Sequence, residues 1–208
     1  MAEMFQRGGV RGMLHRPALP NGDGVALTHG AGSNSNAPLL VRLAEAFSEA
    51  GLVVLRYDLP FRQQGRGGPP FPAAAARDRE GILEAVAAIG EFCTGRVFAG
   101  GHSYGGRQTA MAAAEHPPLA AALLLLSYPL HPPKKPQQMR TAHFPQLQTP
   151  ALFVHGTADP FGSPEELREA IALIPTRTDL LPVEGAGHDL KRAAGLAAEI
   201  LERLRALV

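Results

Sequence analysis

Short apolar runs alternate along this chain with longer stretches in which apolar side chains recur every three or four positions. Runs such as Leu52-Val53-Val54-Leu55 and Ala122-Leu123-Leu124-Leu125-Leu126 are apolar at every position. They predict strands covered on both faces, because a half-exposed strand would alternate apolar with polar. Strands are predicted at 24–29, 52–57, 96–101, 120–128, 151–155 and 179–183. Between them the period becomes helical. Over 38–50, Leu39, Leu43 and Phe47 share a face, with Pro38 early and Gly51 just past the end. A second helix is predicted over 73–92, a third after residue 103, and a fourth opening with the capping box Ser163-Pro164-Glu165-Glu166. A last one over 190–207 lines up Ala193, Ala197, Ile200, Leu201 and Leu204.

Strand and helix in alternation signal βαβ units, so the fold class is α/β, with a mostly parallel central sheet and helices on both faces. The whole chain, 208 residues, reads as a single domain with one sizeable core. Two segments resist the pattern: 61–72, rich in Gly and Pro, and 131–150, rich in Pro and Gln. Both follow strand C-terminal ends, the edge at which open α/β sheets bind ligands, and are expected to wall the site.

Composition narrows the function classes. A hydrophobic content of 45% and a net charge of +1, with no basic block longer than Lys134-Lys135, give no footprint for nucleic acid or an anionic membrane. The longest strongly apolar run, 119–126, is far short of the roughly 20 residues that span a bilayer, and the N-terminal residues carry no secretory or transit signal. A cytoplasmic location is expected. The lone Cys93 reads as a small buried hydrophobe.

The chemistry begins at Gly101-His102-Ser103-Tyr104-Gly105, a Gly-x-Ser-x-Gly match between an apolar run and a helical pattern. Chance supplies about 0.07 such matches in a chain of this composition, before any structural context is required. Glycines two residues either side let a tight, strained turn project the serine, which makes Ser103 a candidate nucleophile. A serine is a poor nucleophile until a base, oriented by an acid, removes its proton. After such an elbow the acid and then the base come from the ends of later strands. Asp159 follows the run Ala151-Leu152-Phe153-Val154-His155, and His188 lies in the glycine-containing loop after the next strand. Asp189 suits a helix cap better than a triad acid. His29, His102 and His155 fall within strand or elbow motifs and read as packing residues, while His131 and His143 remain possible substrate contacts.

An oxyanion needs two donors. Tyr104, directly after the nucleophile, supplies one N–H, and the loop 27–36 is expected to supply the other from Ala31. That loop lacks the Gly-Lys-Ser/Thr spacing of a phosphate-binding loop. Arg107, one turn past Ser103, is expected either to pair with Asp58 in a buried ion pair or to bind an anionic part of the substrate. No cluster at metal-ligand spacing is apparent, so no metal is expected.

THGAG, GGHSYGG, HGTADPFG and GAGH, in that order, make the chain resemble the α/β-hydrolase superfamily along most of its length. SYPLHPPKKP followed by TPALFVHGTADPFG is similar to a small dienelactone-hydrolase-related branch, here with a serine nucleophile. The resemblance implies an α/β-hydrolase fold with a minimal cap, since only 131–150 stands where larger members carry helices. It implies no cofactor and a small-molecule ester or thioester substrate with a short acyl group. The branch also contains a scaffolding subunit of a nuclear acetyltransferase complex, so a non-catalytic interaction domain is the alternative implied.

Overall fold

In the computed structural model, which describes residues 2–65, 70–191 and 193–208, the chain forms β1 Ala2–Arg7, β2 Val10–His15, β3 Gly24–Thr28, β4 Val53–Asp58, β5 Val97–His102, β6 Leu123–Leu126, β7 Ala151–Gly156 and β8 Thr178–Val183. The helices are α1 Pro38–Glu49, α2 Pro60–Gln63, α3 Ala75–Gly90, α4 Tyr104–Glu115, α5 Pro164–Ile171 and α6 Ala197–Ala206. Among the described residues the strands make one sheet in the order β1-β2-β4-β3-β5-β6-β7-β8. β1 and β2 run antiparallel at one edge, and β2 meets β4 antiparallel. From β4 through β8 all neighbours are parallel.

The leucine run explains itself in this setting. Leu123 and Leu125 enter one core with Leu55, Ile82 and Phe153, while Leu124 and Leu126 enter the other with Leu43, Phe47, Val154 and Ile200. A strand whose successive side chains point to opposite faces must be apolar throughout when both faces are covered. α1 and α6 contribute to the second core, and α3, α4 and α5 to the first.

The hairpin β1–β2 was outside the predicted strands. Only Phe5 of β1 is buried, so this edge strand carries no apolar run to read. Strand 120–128 shrinks to Leu123–Leu126, ended by Ser127 at a φ of 46°. The last helix begins only at Ala197, behind a 3₁₀ turn over Ala193–Leu196. Residues 66–69 of the predicted wall 61–72 lie outside the described residues. Segment 131–150 is turns with one 3₁₀ turn, Phe144–Gln146. No described helix is long and apolar enough to cross a membrane.

Two consequences set the site. All strands from β3 to β8 end at one edge, and the winding reverses between β3 and β5, which is where open α/β sheets place their ligands. The turn leaving β5 therefore sits at the middle of the sheet, beside the loop leaving β3.

Candidate active site

β5 hands over to α4 through Ser103, held at φ 51° and ψ −115°. A non-glycine residue in such a conformation costs about 1–3 kcal/mol and persists only where its surroundings enforce it. Here the Ser103 N–H donates to the Leu126 carbonyl at 2.8 Å, and its carbonyl accepts from the Arg107 N–H at 2.9 Å. The flanking glycines are required by contact. A Cβ on Gly105 would stand 2.5 Å from the His29 carbonyl oxygen, and one on Gly101 2.8 Å from that of Thr28. Both glycines let α4 approach the end of β3.

Asp159 and His188 reach this elbow from the ends of β7 and β8. The His188 Nε2 lies 2.8 Å from Ser103 Oγ, and its Nδ1 lies 2.8 Å from Asp159 Oδ2. The Asp159 side chain is fully buried, and its other oxygen accepts the Phe161 N–H at 2.9 Å. Burial pushes its carboxyl upward. The hydrogen bond and charge of His188, with the Phe161 N–H and His155, outweigh that and hold it below the usual carboxylate range. Asp159 is thus an ionised acceptor for the His188 Nδ1–H.

The β3 loop lies against Ser103. A Cβ on Gly30 would come 3.5 Å from Ser103 Cβ, which places the adjoining Ala31 at the rim of the site. The Ala31 carbonyl accepts from Arg62 Nη2 at 2.8 Å, and His29 accepts the Leu59 N–H at 3.1 Å, so the loop is tied to the segment after β4. Tyr104 opens α4, where a helix leaves its first N–H groups without intrahelical partners. Its hydroxyl donates to Asp78 Oδ2 at 2.7 Å.

Three contributors escaped sequence reading. Asp78 is a fully buried carboxylate on α3 that also accepts the Phe61 N–H. Phe161 places its ring 4.3 Å from the His188 ring, tilted by 35°. His102, read as packing, donates to the His188 carbonyl at 2.7 Å. Only the position of His102 inside the elbow motif could have flagged it; Asp78 and Phe161 become neighbours through the fold alone.

One expectation is corrected. Arg107 forms no pair with Asp58, whose Oδ1 accepts the Ser35 N–H at 2.6 Å and lies 3.6 Å from His29. α4 carries Arg107 close enough to Tyr128 and Arg140 for its charge to act on both. Asp189 accepts the Lys191 N–H and lies 3.1 Å from the Lys191 ammonium. His131 is buried 3.6 Å from Glu166, while His143 packs against Tyr128 and Phe144. Cys93 is half-buried, its thiol donating to the Ile89 carbonyl. Among the described residues no group of three His, Cys, Asp or Glu side chains could hold a metal ion.

The family described as "Alpha/beta hydrolase domain" matches residues 22–205 of the chain. DcsB, solved in complex with its substrate analogue, is similar in structure with a TM-score of 0.78 and 16% identity, covering 100% of this chain and 99% of that one. Dienelactone hydrolase from Anabaena variabilis gives 0.73 at 20% identity, over 98% and 96%. A serine hydrolase without lid from Xanthomonas campestris gives 0.73 at 17%, over 98% and 94%. At such identities the likeness is one of fold. In sequence, a 59-residue stretch, 28% of this chain, is 42% identical to the polyketide synthase ThaQ of Burkholderia thailandensis, of which it spans 3%.

Proposed function

The chain belongs to the alpha/beta hydrolase domain family, and on that premise we propose that it is a serine hydrolase cleaving a short-chain carboxylic ester or thioester through an acyl-enzyme on Ser103. The observation that carries this reading is the continuous relay from Asp159 through His188 to Ser103, both links at 2.8 Å. In the mechanism it supports, Ser103 Oγ attacks the carbonyl carbon while its proton passes to His188 Nε2. Asp159 holds Nδ1–H and stabilises the imidazolium. The Ala31 and Tyr104 N–H groups receive the oxyanion. Collapse expels the alcohol or thiol, which takes the proton from His188. Water, deprotonated by the same nitrogen, then releases the acid and restores the serine.

The test is covalent labelling by a fluorophosphonate. One adduct on Ser103 is expected by intact mass and peptide mapping, absent in Ser103→Ala. His188→Ala should lose about 10⁴-fold in kcat, and adding it to Ser103→Ala should cost little more, since triad members act as a unit. A folded protein that never labels overturns the proposal in favour of a non-catalytic interaction domain.

A further inference from the structure

Beside the elbow two arginines meet without an acid. Arg107 lies one turn along α4 from Ser103. Tyr128 lies two residues past β6, the strand whose Leu126 carbonyl receives the Ser103 N–H. The Tyr128 hydroxyl donates to the Arg140 carbonyl at 2.7 Å, and the Arg107 charge acts on the Tyr128 phenol. Arg140 Nη1 donates to the Pro129 carbonyl at 3.3 Å, and the Arg140 N–H to that of Leu130 at 2.8 Å. Segment 131–150 thus folds back to set Arg140 near Arg107, and His143 Nε2 completes the group 3.4 Å from the Tyr128 hydroxyl.

The charges in this cluster do not cancel. Among the described residues neither arginine has a carboxylate within ion-pair distance. Arg107 Nε is buried with no hydrogen-bond partner. Burial and then the Arg107 charge push the Arg140 guanidinium and the His143 imidazole down, the latter to about 4, so His143 stays neutral at neutral pH. Burial likewise pushes the Tyr128 phenol up. Two positive charges on partly exposed side chains are therefore held near one another, and a buried Arg107 N–H is left unused. Such an arrangement is unfavourable alone and favourable once a planar anion enters, because guanidinium forks match carboxylate oxygens.

We infer that Arg107 and Arg140 bind a carboxylate carried by the substrate itself, so that the preferred substrate is a half-ester or half-thioester of a short dicarboxylic acid. The inference deepens the hydrolase reading and rests on it for the position of the scissile bond. Hydrolysis of ethyl hydrogen glutarate should exceed that of its neutral amide, ethyl 4-carbamoylbutanoate, by about 10- to 100-fold in kcat/KM, the scale of a charge-assisted pair. Arg107→Met and Arg140→Met should each collapse that ratio toward one, and Arg107→Lys should restore part of it. Calorimetric titration of Ser103→Ala with glutarate separates the two ideas, since it reads anion binding without catalysis. Binding of glutarate but not glutaramide, lost when both arginines become Met, supports the site even if Ser103 never labels. Normal labelling of Ser103 with no preference for the half-ester and no glutarate binding overturns it. Circular dichroism of each variant confirms folding, and the two single variants stand in for each other if one fails to fold.

Discussion

His102, the residue just before Ser103, donates its Nε2–H to the carbonyl oxygen of His188 at 2.7 Å, so the elbow itself holds the loop carrying His188. The two rings stand 5.2 Å apart. Burial, the largest influence, lowers the His102 pKa to about 4, which keeps it neutral near pH 7 and leaves one N–H to donate. On the proposed hydrolase reading His102 is a positioning residue. His102→Leu should lower kcat about 10-fold with KM nearly unchanged, because small displacements of a catalytic group cost rate steeply. His102→Gln, which keeps a donor, should recover part of the loss and of the rate of fluorophosphonate labelling. Full kcat in His102→Leu would show that His188 is held by Asp159 and Phe161 alone.

The meeting of Ser103, Asp159 and His188 was legible because each sits just past an apolar run, and parallel strands all end at one edge. That inference needs only strand order and direction. The partner of Arg107 was not legible, since helical spacing places it one turn past Ser103 but does not say which neighbouring strand its side chain faces. Asp58 was the nearer strand-end acid in sequence terms, yet its oxygen is taken by the Ser35 N–H. The β1–β2 hairpin was invisible for a different reason, its exposed edge carrying no apolar alternation. Asp78 carried no sequence signal, and its partners, the Phe61 N–H and the Tyr104 hydroxyl, are brought to it by the fold.

Gly105 tests how tightly the elbow is packed. In Gly105→Ala the new Cβ would lie 2.5 Å from the His29 carbonyl oxygen and 2.7 Å from Thr28 Cγ2, and backbone cannot yield as a flexible side chain does. A loss of about 2–3 kcal/mol of stability is expected by chemical denaturation. Gly32→Ala is the control, since nothing lies within 4 Å of a Cβ there, and its stability should change by less than about 0.5 kcal/mol. Equal stability of the two variants would mean that α4 can retreat from β3.

Stability should fall below neutral pH. His15, His102 and His143 are each lowered to about 4, by burial first, and His29 and His155 move in the same direction. In the unfolded chain a histidine titrates near about 6.5. Folded values below the unfolded one mean that the unfolded chain binds more protons in this window. The stabilisation is thus complete above the unfolded value and lost as pH falls toward about 4. His102 contributes a slope of up to about 1.4 kcal/mol per pH unit, and His15 and His143 smaller amounts because water screens them more. Urea midpoints at pH 7 and 5, at fixed ionic strength, should differ clearly, with net proton uptake on unfolding at pH 5. Equal midpoints would contradict the buried neutral histidines.

Acyl-chain preference follows from what covers the site. Segment 131–150 carries a single 3₁₀ turn, Phe144–Gln146, and its prolines disfavour a helical cap. A cleft of about 300 Å³ opens by His102, lined by Ala37, Leu39 and Leu40, but Ser103 is not among its walls. Another cleft, about 450 Å³, lies by His15 and Glu45, and neither Ser103, Asp159 nor His188 lines it. On the open-site reading a long acyl chain on Ser103 stays largely in water, and each methylene left there forgoes about 0.8 kcal/mol. Among neutral p-nitrophenyl esters activity should peak at about two to four carbons. Exchanging 134–142 for a short Gly/Ser linker should alter KM while Ser103 still labels, if the segment walls the site as proposed, because it supplies none of Ser103, Asp159 and His188. Activity that climbs steadily through eight or more carbons would reveal an acyl channel beneath the segment and overturn the open-site reading.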